Sequence, residues 1–171
     1  MKSYLLVASL IGLVSTQINA QTCYDGASET TPSSRFTINE NGTISDLSTG
    51  LMWQRCNYGQ TYNSESNECA GNSVQLTWAE ALRGAANSEL AGSKGWQVPN
   101  IKELASIVEH KCVEPSINIE LFINTQHANY WTSTTEISNS EYAWVYYFDT
   151  GSNELASKQE SNFLRLVRYE K

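Results

Sequence analysis

Gly95-Trp96-Gln97-Val98-Pro99-Asn100-Ile101-Lys102-Glu103-Leu104 sets a buried hinge directly before an amphipathic helix. Pro99 holds the preceding residue extended and ends any earlier element. Asn100 is a good N-cap, and Glu103 three residues on completes an Asn-x-x-Glu variant of the capping box. Ile101, Leu104, Ala105 and Val108 then fall on one face, which predicts a helix to about His110. A second box, Thr77-Trp78-Ala79-Glu80, stands upstream. It predicts a helix from Trp78 to about Ser88, with Ala81, Leu82 and Ala85 inward. Gly84 weakens that helix by up to ~1 kcal/mol relative to alanine.

Around these two helices the chain reads as strands. Cys23 to Ser34 is an extended arm. Arg35-Phe36-Thr37-Ile38 alternates, and Asn41-Gly42 is a strong hairpin signal leading to Thr43-Ile44-Ser45-Asp46. A turn at Ser48-Thr49-Gly50 precedes a third strand, Leu51-Met52-Trp53-Gln54. Asn57 to Gln75 is a polar loop, long enough to need a staple. Cys112 to Asn129 is irregular, with Leu121-Phe122-Ile123 expected to plug the core. Strands are expected at Tyr130 to Thr134, Tyr142 to Phe148, Leu155 to Lys158 and Asn162 to Arg168. Two helices among many, mostly antiparallel, strands make the class α+β.

The first 20 residues are expected to be a signal peptide. Lys2 is followed by an apolar run, Leu5 to Val14, and Ala20 offers a small residue for cleavage before Gln21. The run is about half the ~20 apolar residues of a spanning helix. Residues 21–171 are then one domain, and no later segment could cross a membrane. Loss of Lys2 moves the net charge from −7 to −8. An acidic chain with no basic run argues against nucleic acid as a partner. A local basic patch from Lys158, Arg165, Arg168 and Lys171 stays open.

All four cysteines, Cys23, Cys56, Cys69 and Cys112, follow the expected cleavage point. An even number on an export route reads as two disulfides. Of three possible pairings, Cys23–Cys112 with Cys56–Cys69 is preferred. It closes the polar loop and ties down an N-terminal arm that otherwise has little to hold it. Zinc does not fit, since no two cysteines stand two to four residues apart.

Signals for chemistry are thin. Asn39, Asn41 and Gly42 fit three positions of a calcium loop counted from Thr37, but Thr37 and Ser48 stand where its end carboxylates belong. His110 and His127 have no local partner. There is no Gly-x-Ser-x-Gly elbow, and paired cysteines leave no thiol. Glu103 with Glu109 or Glu114 reads as solvated carboxylates. No catalytic residue, metal or cofactor is expected. The aromatics say more. Tyr142, Trp144, Tyr146 and Phe148 share one strand face, and Ala143, Val145 and Tyr147 the other. Either both faces are covered, or one is an exposed platform suited to sugar rings. The candidate ligand-binding residues are Trp131, Trp144, Tyr146, Arg165 and Arg168.

Several motifs resemble the C-terminal domain family of the bacterial collagen-like adhesin Lcl. They are Cys23-Tyr24-Asp25-Gly26, Arg35-Phe36-Thr37, Asn41-Gly42-Thr43, Thr49 to Cys56, Thr77 to Leu82, Trp96 with Pro99 to Leu104, Tyr130-Trp131-Thr132-Ser133, and Val167-Arg168. The resemblance implies an exported bacterial domain with a C-type-lectin-like fold. The collagen-bearing adhesin of that family binds sulfated polysaccharides and forms trimers; this chain has no Gly-x-y run. Where the family has Trp-Arg-Leu-Pro, this chain has Trp96-Gln97-Val98-Pro99, and Asn41 replaces an Asp. Glu114-Pro115-Ser116 only partly matches the calcium-dependent sugar motif of true C-type lectins.

The expectation is therefore an exported, non-catalytic binding or adhesion module, with carbohydrate, an anionic glycan included, as its ligand class. A structural or protein-binding part of an envelope assembly is the alternative. A less favoured one is an envelope enzyme related by fold to formylglycine-generating domains, whose chemistry needs free thiols.

Overall fold

The structure is a computed structural model that describes residues 20–170. The expected signal peptide lies outside the described residues, except for Ala20. The strands in chain order are β1 (Thr22–Cys23), β2 (Phe36–Ile38), β3 (Thr43–Asp46), β4 (Leu51–Gln54), β5 (Thr61–Asn63) and β6 (Glu68–Ala70). Helices α1 (Trp78–Ala86) and α2 (Ile101–Ala105) follow. Then come β7 (Cys112–Val113), β8 (Asn129–Thr135), β9 (Tyr142–Tyr147), β10 (Ser152–Ser157) and β11 (Val167–Tyr169). The strands pair antiparallel, so the class is α+β.

One sheet has the order β11-β4-β3-β2. Its β2–β3 turn needs glycine twice over. Gly42 has φ +80°, and a Cβ there would meet the Tyr62 Cβ at 2.6 Å. Asn39, Asn41 and Thr43 bond to one another across this turn, Asn39 Nδ2 donating to Thr43 Oγ1 at 2.9 Å and Thr43 Oγ1 to Asn41 Oδ1 at 2.7 Å. That is a hairpin turn closed by its own side chains. At its start, Arg35 pairs with the buried Asp46, which also accepts from Ser48 N and Thr49 Oγ1.

The second sheet has the order β10-β9-β8. Its faces alternate with period two, and both are covered along its centre. Trp131, Ala143, Val145 and Ala156 pack into a cluster with Ala81 and Ala85 of α1, Trp96, Val98, Leu164 and Leu166. Tyr130 and Tyr146, with Phe148 just beyond β9, pack into a larger cluster with Leu104, Ile107, Val108, Ile44, Trp53 and Val167. Phe122 fills that cluster's centre, edge-on to Trp53 and Phe36 at 6.5 and 5.9 Å. Such edge contacts contribute about 0.5–1.5 kcal/mol each beyond burial. Of the expected plug Leu121-Phe122-Ile123, the first two fill the core, while Ile123 stays half-buried and outside this cluster.

Cys23–Cys112 ties β1 to β7 across 89 residues, and Cys56–Cys69 closes a loop of separation 13. Inside that loop Thr61–Asn63 and Glu68–Ala70 form a small hairpin where the sequence predicts only loop. The polar composition hides it, and the staple brings its ends together.

Two further elements differ from expectation. Both capping boxes form, but α2 ends at Ala105 rather than near His110. Ser106 Oγ donates to Glu103 O at 2.7 Å, and Ile107 and Val108 turn into the core. Val108 bridges to Ile117, and the Glu109 carboxylate binds the arm at Thr30 and Thr31. These tertiary bonds displace further helical turns. The final strand begins at Val167, because Asn162 and Phe163 make isolated bridges to Leu76 and Tyr130 while Arg165 turns inward.

Candidate functional site

The hinge and capping box of the Trp96–Leu104 stretch build one wall of an open groove. The Trp96 ring is buried beneath it, its Nε1 donating to Leu90 O at 3.1 Å. Gln97 and Val167 exchange backbone bonds at 2.8 and 3.1 Å, which docks the stretch onto β11. Ser133 N donates to Pro99 O at 2.8 Å, and Ile101 N to Thr134 Oγ1 at 3.0 Å, which docks it onto β8. Asn100 Oδ1 accepts from the backbone of Lys102 and Glu103, both at 2.9 Å. In return Glu103 Oε2 accepts from Asn100 N at 2.7 Å.

The other Glu103 oxygen is where the site departs from an ordinary cap. Oε1 accepts from the Tyr169 hydroxyl at 2.7 Å. Glu103 is buried, yet Tyr169 is 60% exposed. The hydrogen bond to Glu103 and its negative charge push the Tyr169 pKa above its ordinary value, so the phenol stays a donor. The result is an aromatic ring held out in solvent by its hydroxyl. The groove beneath it has a volume of about 410 Å³ and is lined by Ala86, Trp96, Gln97, Asn100, Glu103 and Ser133 among others. Pockets of roughly 300–1,000 Å³ accommodate small organic ligands.

The five residues singled out in the sequence do not form one surface. Trp131 is 0% exposed and lies in the α1-facing cluster. Tyr146 is also buried, in the larger cluster. Neither can stack on a ligand, and the aromatic run reflects a sheet covered on both faces. Trp144 on β9 and Arg168 on β11 are half-buried and belong to different sheets.

Arg165 is the sharpest correction. It is 0% exposed and has no carboxylate partner among the described residues. Its Nη1 donates to the carbonyls of Gln54, Arg55 and Cys56 at 2.9, 2.6 and 3.2 Å. Its Nη2 donates to Asn57 Oδ1 at 2.8 Å and Thr125 Oγ1 at 2.9 Å. Asn57 Oδ1 also accepts from the buried Tyr130 hydroxyl at 2.7 Å. Burial pulls the Arg165 pKa down to about 10 and raises that of Tyr130 to about 12. Both groups keep their protons at neutral pH, and the cation serves the interior.

His127 gains a partner that sequence proximity did not offer, Asp149, at 3.0 Å on an exposed turn. All four cysteines are disulfide-bonded. Among the described residues no three His, Cys, Asp or Glu side chains gather as a metal site, and no helix is long and apolar enough to cross a membrane. Two disulfides are the habit of proteins in oxidising compartments.

The family model of the Lcl C-terminal domain matches residues 42–168. The chain belongs to the Lcl C-terminal domain family. No curated protein matches it. The matched span holds both capping boxes and most of the groove, and Tyr169 stands one residue beyond it. Sequence reading missed Tyr169, whose one signal is its place after Val167-Arg168 at the end of an expected strand.

Proposed function

We propose that this Lcl C-terminal domain is an exported, non-catalytic binding module of C-type-lectin-like fold that recognises uncharged carbohydrate at the Tyr169 groove. One observation carries the reading: a 60%-exposed aromatic ring pinned at the rim of a groove whose polar lining includes Gln97, Asn100, Glu103 and Ser133. Sugars offer an apolar ring face and a rim of hydroxyls, which that combination of ring, amides and carboxylate suits. The charge balance favours a neutral ligand over an anionic one. Arg165 and Arg55 are buried, Arg35 is paired with Asp46, and the chain is net acidic. Bonding of all four cysteines removes the thiol that the enzyme alternative needs.

The test is a glycan array probed with the oxidised domain spanning residues 21–171, at low and physiological salt, with and without calcium. Selective binding that is indifferent to salt and lost in Tyr169→Ala is expected. Binding that weakens steeply with salt and survives Tyr169→Ala would overturn the reading in favour of an anionic ligand elsewhere.

One observation favours a protein partner as the second reading. Leu155 on the edge strand β10 is 45% exposed, Tyr142 on the neighbouring β9 is 36% exposed, and Ile137, in the connection between β8 and β9, is fully exposed. Exposed apolar groups at a sheet edge suit a protein contact. Mass measured across a dilution series detects self-association through that edge.

A further inference from the structure

The groove is half of a larger feature. On the other side of Tyr169 lies a second hollow of about 310 Å³, lined by Thr49, Leu51, Lys102 and Ser106. Asn100, Glu103 and Tyr169 line both hollows. The Tyr169–Glu103 hydrogen bond therefore stands as a partition between two compartments, each near the lower end of the roughly 300–1,000 Å³ typical of small-ligand pockets.

We infer that the site has two subsites and takes an oligosaccharide of at least two units, one in each hollow, with the linkage crossing at Tyr169. The inference rests on the carbohydrate reading and adds ligand length to it. The chemistry of the partition favours this arrangement. One carboxylate, one amide and one phenol are reachable from both sides, so a single set of polar groups can serve the hydroxyls flanking a linkage. The outer hollows differ. The first is bounded by Ala85 and Ala86 at the end of α1, beside Gln97 and Ser133. The second has the apolar Leu51 and the exposed Lys102. The two ends of the ligand thus meet unlike surroundings, which gives the bound chain a direction.

The test uses calorimetry with glucose, mannose, galactose and N-acetylglucosamine, each as a series of one to four units. Two variants narrow one hollow each and leave the Glu103 and Tyr169 side chains in place: Ala86→Trp in the first and Ser106→Trp in the second, the latter also removing the Ser106 Oγ bond to the Glu103 carbonyl. Thermal melts identify which variants keep the fold. Affinity is expected to rise at least tenfold from one unit to two in the sugar that binds. Ser106→Trp should bring the longer members back to single-unit affinity, and Ala86→Trp should weaken every length. Equal affinity for one and two units overturns the two-subsite inference while leaving the carbohydrate reading standing. Full affinity for four units in a folded Ser106→Trp does the same. Should Ser106→Trp fail to fold, Lys102→Trp, at an exposed helix position on the same hollow, takes its place. Absence of binding by any series removes both readings.

Discussion

The interior around Arg165 and the rim around Tyr169 are four residues apart in sequence and opposite in character. Both hold polar groups of the last chain segment in fixed geometry. Around Arg165 every partner is inward: three carbonyls, Asn57 and Thr125. At Tyr169 one partner is inward, Glu103, and the ring faces water. Where all the partners are internal, a polar group stabilises the fold. Where the partners leave a face open, it can serve a ligand. Arg168 makes the point from between them. It stands three residues from Arg165, lies half-exposed with its guanidinium 5.8 Å from the Trp96 ring centroid, and shares no partner with it. Arg165 lies in the irregular, fully buried segment before β11 and Arg168 on β11 itself, so the two guanidiniums do not add up to a patch.

That contrast can be broken at its strong end first. Arg165→Met leaves Asn57, Thr125 and three carbonyls without their donor. It should cost at least about 3 kcal/mol, since each buried acceptor left without a donor costs about 1–3 kcal/mol. Urea unfolding of the mature domain reads it, and a loss under about 1 kcal/mol would show that the interior does not depend on the cation. Replacing Cys56 and Cys69 together by Ser should cost about 3 kcal/mol, as expected for a loop of that size. The Cys56 carbonyl is one of the Arg165 acceptors, so the two changes should combine non-additively in a double-mutant cycle.

Glu109 sharpens the comparison at a smaller scale. It too is a buried charge held by neutral groups. Burial by itself would raise its pKa, but bonds from the backbone of Thr30, Lys111 and Thr31 and from the Thr31 hydroxyl outweigh that and lower it from 4.5 to about 2. A carboxylate depressed in the folded state stabilises above its unfolded pKa, and loses that contribution as the pH falls through the folded value. Stability should therefore hold above about pH 4.5 and decline toward pH 2. Glu109→Gln should lower stability at neutral pH by about 1.5–3 kcal/mol and flatten the acid limb. An unchanged acid limb in the variant would assign the decline to other groups.

Tyr169→Ala stands at the weak end. It should cost about 1 kcal/mol or less in stability, as a mostly exposed side chain with one hydrogen bond, while abolishing sugar binding on the array. A loss as large as that of Arg165→Met would erase the distinction between interior and rim.

Much of the fold was legible because its signals are local. Asn100 with Glu103 and Thr77 with Glu80 close boxes within one helical turn, and Asn41-Gly42 turns on the backbone freedom of a single residue. The site was not legible. The Trp96–Glu103 stretch that lines the groove reads in the sequence as a hinge and helix cap, and none of the five candidate residues lines that groove; Trp131, Tyr146 and Arg165 went inside. Aromatic strands covered on both faces and platforms exposed on one have the same composition. Which of them forms depends on α1 and α2, which pack from distant parts of the chain.

The amino-acid sequence by itself determined where helices begin, where the first hairpin turns, that Leu121 and Phe122 fill the core, and the α+β class. Each of these follows from the chemistry of a few neighbouring residues. Only the tertiary structure decided that α2 stops at Ala105, that Arg165 is an interior cation, and that Tyr169 meets Glu103 across 66 residues to partition a groove. Those outcomes rest on burial and on long-range hydrogen bonds, whose energies exceed local propensity and leave no mark in the spacing of residues along the chain.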